Sequence, residues 1–255
     1  MTNSLECGNL VISVESRVLV QDLQLSIEAG TFVCVLGRNG VGKTLTLHTL
    51  AGLRPVLTGA VSLAGTAMVN LSRRQIALRL GLLLQAQDDT FPVTVIESVL
   101  MGRHSHLGFW QWESQQDRLI AMDALKVFGL SGFEQRMILT LSGGERRRVA
   151  LATLLVQNPG VWLLDEPTNH LDPHHQLDVL NKLSALARDG KCVIATLHDP
   201  MLAARFSNYV LLLHGDGDWE FGPTNDLLVP TNLERLYRTP FESFHNGDRT
   251  IMVPA

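Results

Sequence analysis

Cysteine is scarce: three residues among 255, at positions 7, 34 and 192 and far apart. That spacing excludes a disulfide framework. Cys34 and Cys192 fall in strand-like apolar runs and are expected to be buried, inert thiols. Basic residues are not in excess: 21 Lys and Arg stand against 25 Asp and Glu, a net charge of −4, with a pI near 6.1. General affinity for nucleic acid is therefore not expected. No apolar run approaches the length of a bilayer span. The first nine residues lack the basic start and apolar stretch of a secretory signal, so a cytosolic protein is expected, free to dock on a membrane protein. There is no internal repeat and no low-complexity linker. What the chain does have is apolar content, 45% hydrophobic residues and a mean hydropathy of +0.13. That supplies the core of one large α/β domain or two small ones.

One stretch organises the rest: Gly37, Arg38, Asn39, Gly40, Val41, Gly42, Lys43 and Thr44. It fits G-x-x-x-x-G-K-[ST], a loop whose successive N–H groups cradle phosphates. Lys43 would reach the β- and γ-phosphates as a point charge, and Thr44 would ligate Mg²⁺. The apolar run at 31–36 suits a buried strand, and residues 45–53 suit a helix stopped by Gly52. The phosphates would then sit on a helix N-terminus, where the dipole favours anions. A plain glycine-rich turn is the alternative, but it does not explain Lys-Thr between a strand and a helix.

Before this loop, residues 10–12 and 23–27 read as antiparallel strands, with a turn at 28–30. After it, residues 57–59 turn into a strand at 61–63. Ser72 opens a short basic helix, and a buried strand at 82–84 ends at Gln85. Residues 86–140 carry no strand signal and read as a helical insertion. An independent domain is the alternative, for which the segment is short. Within it Thr94 and Glu97 form a capping box that starts a helix through Met101. An irregular stretch at 102–112 holds His104, His106, Phe109 and Trp110. A second helix spans 114–128, with Leu119, Met122, Leu125 and Phe128 expected on one face and Gly129 at its end.

Ser142 and Glu145 make another capping box, with Gly143 and Gly144 in the first turn, a bare helix end suited to an anion. This helix is expected to run to Gln157 and stop at Asn158-Pro159. Arg146, Arg147 and Arg148 spread around it, at least one of them a solvated charge. The apolar strand at 161–164 ends in Asp165, suited to a Mg²⁺ shell, and Glu166, suited to orienting a water. Alone, the two would read as solvated acids. Asp172-Pro173 leads into a helix at 174–188. A strand at 191–196 follows, and His198 stands just past its end, where open α/β sheets build sites. A strand at 209–213, a turn at 215–218, a return strand at 219–221 and helices at 224–228 and 231–237 complete the pattern. Residues 245–255 give only weak signals. His104 with His106, and His170 with His174 and His175, lack Cys or carboxylate partners at ligand spacing and read as surface or interface residues.

Taken in order, these motifs resemble the ATPase subunit of ATP-binding cassette (ABC) transporters over nearly the whole chain. The glycine loop resembles Walker A, Gln85 the Q-loop glutamine, and Leu141-Ser142-Gly143-Gly144-Glu145 the family signature, which is the most specific match. Residues 161–166 resemble Walker B with its catalytic glutamate, Leu171-Asp172 the D-loop, and His198 the switch histidine. The resemblance implies an α/β fold: a P-loop NTPase core with a mixed sheet (1–85 and 141–255), an N-terminal antiparallel β-subdomain, and an inserted helical subdomain (86–140). It implies ATP and Mg²⁺ as cofactors. Glu166, His198 and Gln85 would be catalytic, and Thr44, Gln85 and Asp165 would hold the metal. The loop from Gly37 to Leu45 would bind ATP together with Ser142, Gly143, Gly144 and Asp172 of a second copy, making a homodimer.

Further partners implied are permease subunits and a substrate-binding protein acting through them, with no nucleic acid, at the cytoplasmic face of the membrane. The segment from Phe91 to Arg103 is similar to importers of iron–siderophore, haem and cobalamin. Molybdate, other metal or amino-acid importers, exporter halves, and soluble ABC proteins acting on ribosomes or DNA are the alternatives. The last lack support, since neither a second cassette nor a long coiled coil is present. A lone P-loop kinase or GTPase would leave the Ser142 motif without a purpose.

Two positions depart from the family pattern. No aromatic residue precedes Phe32, and Val14 aligns where one usually stacks on adenine. Arg17 is the candidate substitute, through its guanidinium face. Leu45 replaces the usual hydroxyl near the α-phosphate. A lost stacking contact is worth ~1 kcal/mol and a lost hydrogen bond to a charged group ~1.5–3 kcal/mol. Weak affinity and poor base selectivity are the expectation.

Overall fold

The computed structural model describes residues 4–85, 92–108, 110–246 and 249–255. Phe91, Phe109 and the proposed boundary at residue 86 lie outside the described residues. The chain opens with β1 (Leu5–Val14), β2 (Arg17–Ile27) and β3 (Phe32–Leu36), then α1 (Lys43–Leu50), β4 (Ala60–Leu63), β5 (Thr66–Ala67), α2 (Arg73–Ala77) and β6 (Leu80–Leu83). Next come α3 (Val95–Leu100), α4 (Gln115–Val127), α5 (Gly143–Gln157), β7 (Val161–Leu164), α6 (Pro173–Arg188), β8 (Cys192–Thr196) and α7 (Pro200–Phe206). The tail holds β9 (Tyr209–Leu213), β10 (Trp219–Pro223), α8 (Thr224–Leu227), α9 (Pro230–Tyr237), β11 (Phe241–Asn246) and β12 (Arg249–Pro254).

The central sheet has the order β10-β9-β3-β8-β7-β6. Its members run parallel except β10, which returns antiparallel along β9. The inner strands β3, β7 and β8 are buried along their whole length, so they are apolar almost throughout rather than alternating with polar residues. Phe32 and Cys34 of β3, Trp162 and Leu164 of β7, and Val210 and Leu212 of β9 enter one core, shared with α5 and α6. Their neighbours Val33, Val35, Val161, Leu163, Leu211 and Leu213 enter the other, shared with α1 and the β2-β1-β4-β5 sheet. Fully burying one such side chain contributes about 1.5–3 kcal/mol. Leu83, Leu164, Ala195 and Cys34 are neighbours in register, so the carboxyl ends of β6, β7, β8 and β3 share one edge. All three cysteines are buried, and burial pushes the Cys34 thiol pKa up to about 12.

The structure corrects three expectations. On α4, Leu119 and Met122 face outward, 55% and 45% exposed. The buried stripe is Asp117, Ala121, Ala124 and Leu125, continued by Phe128. Asp117 turns inward because the Ser114 cap and Arg103 Nε, 2.7 Å away, hold its carboxylate. The two alanines let α4 approach α5 closely. Second, β1 and β2 run beyond 10–12 and 23–27, because a register shift between Cys7 and Leu10 breaks the alternation that marks a strand. Third, α7 and the β11–β12 hairpin give no clear periodic signal. Asp199 caps α7 through the Met201 N–H (2.7 Å), and the hairpin packs on α9 and α7 with Met252 buried. Among the described residues no helix is long and apolar enough to cross a membrane.

Candidate nucleotide site

The glycine loop leaves the carboxyl end of β3 and enters α1. Gly42 caps α1 at φ 104°, a left-handed conformation, with no side-chain bond to the first-turn N–H groups. Those donors stay open to an anion. A Cβ on Gly37 would lie 2.6 Å from the Leu213 carbonyl oxygen and 2.8 Å from Val41 Cγ2, so only glycine fits the close pass beneath β9. The Lys43 ammonium is buried and donates to the carbonyls of Gly37 (2.6 Å) and Arg38 (3.2 Å). Burial lowers its pKa, against the opposing pull of Glu166 and Asp165.

A cavity of about 380 Å³ opens over this loop. Arg38, Asn39, Gly40, Gly42, Lys43, Thr44 and Leu45 form its wall. Gly37 and Val41 stand behind the wall, Val41 packed toward the Gly215 turn. Gln85 with Glu166, and the aliphatic Val14 with Leu19, complete its lining. Arg17 is not among its lining residues and donates to the Gly215 carbonyl at 2.9 Å.

Glu166, in the cavity lining, takes a left-handed φ of 50°, a conformation costing a side-chain-bearing residue of order 1 kcal/mol. Its surroundings fix it there. The Glu166 N–H donates to Thr196 Oγ1 (2.7 Å), and Arg147 donates to its carbonyl (2.6 Å). The carboxylate accepts from Gln85 Nε2 (3.1 Å) and Asn169 Nδ2 (3.0 Å), and pairs with His198 Nε2 at 2.7 Å. Gln85, Glu166 and His198, read separately from sequence, are thus one cluster. Thr196 Oγ1 also donates to Asp165 Oδ1 (2.7 Å), while Asp165 Oδ2 is buried with no hydrogen-bond partner among the described residues.

Arg147, Thr196 and Asn169 were not singled out from sequence. Arg147 lies on an α5 stripe with Ala150, Leu151 and Leu154, but Arg148 stands equally over Leu151, Ala152 and Leu155, so spacing alone does not single it out. Burial lowers its guanidinium pKa to about 10, countered by Asp165 and Glu166.

Ser142, Gly143, Gly144 and Asp172 do not line this cavity. They form a second, outward group. The Ser142 N–H donates to Glu145 Oε2 (2.7 Å), and Glu145 N–H returns to Ser142 Oγ (3.2 Å). This bond from the Ser142 backbone lowers the Glu145 pKa. Gly144 passes so close to the His170 carbonyl that a Cβ would lie 2.9 Å from it. Asp172 caps α6, accepting from His175 N–H at 2.9 Å. Among the described residues no three His, Cys, Asp or Glu side chains gather as a metal cluster. His106 Nε2 lies 2.8 Å from the Gln157 carbonyl, and His175 pairs with Asp172.

A glycine loop on a bare helix end, a buried lysine beneath it and strand-end carboxylates beside it define a P-loop nucleoside triphosphatase. The chain belongs to the ABC transporter family, whose model matches residues 20–169, and it is an ATP-binding, ATP-hydrolysing cassette of that family. It is 35% identical to the iron(3+)-hydroxamate import ATP-binding protein FhuC of Bacillus subtilis, over 94% of this chain and 90% of that one. It is 38% identical to the hemin import ATP-binding protein HmuV of Rhodopseudomonas palustris, over 93% and 88%. Its fold matches a solved inward-facing conformation of a metal-chelate type ABC transporter with a TM-score of 0.86 and 28% identity, over 99% and 97% of the two chains.

Proposed function

We propose that this chain powers a membrane importer of iron–siderophore, haem or cobalamin, acting as a homodimer at the cytoplasmic face of the permease. A substrate-binding protein would deliver cargo to that permease. The observation that carries the dimer is the separation of the two groups within one chain. Gln85 and Glu166 line the cavity with the glycine loop, while Ser142, Gly143 and Gly144 do not. A second copy related by a twofold axis supplies the missing tip. The cargo class rests on the relatives described above. We read residues 1–85 with 141–255 as the nucleotide-holding body, and 86–140 as the helical part that meets the permease.

In this reading the open N–H groups of α1 and Lys43 hold the β- and γ-phosphates, Lys43 leaving the Gly37 and Arg38 carbonyls to do so. Glu166 orients the attacking water and accepts its proton, and His198 and Asn169 fix that carboxylate. Ser142, Gly143 and Gly144 of the second copy close over the γ-phosphate, with Asp172 beside them. Such positioning is most of what phosphoryl transfer to water requires. The unpartnered, buried Asp165 Oδ2 suits an oxygen-ligated cation. Asp165, Thr44 and Gln85, the last through its Oε1, would hold Mg²⁺. When bound, the ion would neutralise charge on the triphosphate.

The reading is tested by co-purifying the chain with its permease and measuring ATPase activity with candidate cargo. Stimulation by an iron chelate, haem or cobalamin supports it. A permease whose turnover responds only to molybdate or an amino acid replaces the cargo assignment.

Val14 and Leu19 give the cavity lining an aliphatic surface on which the base would rest. Hydrocarbon contacts distinguish bases poorly. The kcat/KM for GTP should therefore fall within about threefold of that for ATP. Discrimination of a hundredfold or more, measured side by side, would reject this.

A further inference from the structure

Arg147 sits in the second turn of α5 and is buried. Its guanidinium spans two strand ends. One amino group donates to the Leu84 carbonyl, just before Gln85. The other donates to the carbonyls of Asp165 and Glu166. No flexible lysine could reproduce this fork, because three acceptors in different directions match the fixed geometry of guanidinium donors. The same helix begins at Ser142, five residues earlier, roughly 7.5 Å along the axis at ~1.5 Å per residue. One rigid element therefore carries both the exposed anion-binding tip and the clamp on the residues that face the water.

We propose that Arg147 is a positioning residue that sets Gln85 and Glu166 for hydrolysis according to where the Ser142 end of α5 is seated. It does not line the nucleotide cavity. It fixes the backbone on which Glu166 takes its left-handed turn and from which Gln85 reaches the carboxylate (3.1 Å). Seating the tip of α5 on the neighbouring copy's phosphate is thereby felt at the same subunit's own Glu166. The proposal rests on the dimeric ATPase reading above.

The test compares R147M and R147K with the wild-type chain for thermal stability, ATP affinity and single-turnover hydrolysis. Each variant is repeated in an E166Q background. R147M should keep ATP affinity within about twofold and lose about 30- to 100-fold in single-turnover rate, since misplaced groups cost rate more than binding. R147K retains the charge and guards against a methionine variant that does not fold. It should recover part of the rate while its ATP affinity is unchanged. In the E166Q background R147M should lower the residual rate less than about twofold, because the group it positions is already gone. Equal loss in both backgrounds, or Arg147 variants turning over within about threefold of wild type, overturns the proposal. Near-normal turnover by E166Q alone overturns both this role and the site reading beneath it. A dead E166Q with additive R147M removes only Arg147.

Discussion

Replacing Glu166 with glutamine should lower ATP turnover by about 10²- to 10⁴-fold, the range for removing a positioned general base, while ATP still holds two copies together. The geometry separates the two effects. Glu166 borders the cavity and is gripped through its side chain by Gln85, Asn169 and His198. Its backbone is held independently by Thr196 and Arg147. Glutamine is nearly isosteric, so the left-handed turn and the cavity wall survive. What is lost is the acceptor for the water's proton. Lys43, the open α1 terminus and Asp165 are untouched, so nucleotide affinity should stay within a few-fold, about 1 kcal/mol. Phosphate release and analytical ultracentrifugation with ATP check the two halves. Turnover near the wild-type rate would take Glu166 out of its role, and His198 would then be the next base to consider.

The parts of the fold that could be read from sequence are those fixed by neighbouring residues. The capping boxes of Thr94 with Glu97 and Ser142 with Glu145 form as expected, and Ser72, read as opening a helix, proves to be boxed by Gln75. They need only four consecutive positions. Buried parallel strands announce themselves as apolar runs, and the glycine loop carries its own spacing. The cluster around Glu166 was only half legible. Its acids were visible at a strand end, but their partners come from four other places in the chain. Thr196 ends β8 and bonds residues 30 and 31 positions earlier. A threonine in an apolar strand carries no mark of that duty. Arg147 was hidden by its neighbours, since three consecutive arginines look alike until the helix turns one inward. The orientation of α4 failed for a related reason. Leu119 and Met122 are the more hydrophobic residues, but close packing against α5 selects Ala121 and Ala124, with the capped Asp117 anchoring that face.

Two disabled forms should rebuild one working site when mixed. Lys43→Ala removes the ammonium that now rests on the Gly37 and Arg38 carbonyls, leaving the α5 tip intact. Ser142→Asp keeps the helix cap, because aspartate caps as well as serine, yet puts a carboxylate where the phosphate should come. Both changes are made in the Glu166→Gln form, so that bound ATP is retained rather than consumed. Alone, each variant should stay monomeric with ATP: in one neither loop grips the triphosphate, in the other neither tip tolerates it. In a mixed pair, one interface joins the two damaged halves and the other joins the intact loop of the Ser142 variant to the intact tip of the Lys43 variant. Twofold symmetry then predicts dimers carrying about one ATP each. Size-exclusion chromatography with labelled nucleotide counts them. A site completed within a single chain would behave differently: the Ser142 variant would not gain nucleotide on mixing, and no dimer would form. The separation of the Ser142 tip from the cavity lined by Gln85 and Glu166 is what makes the first outcome the expected one.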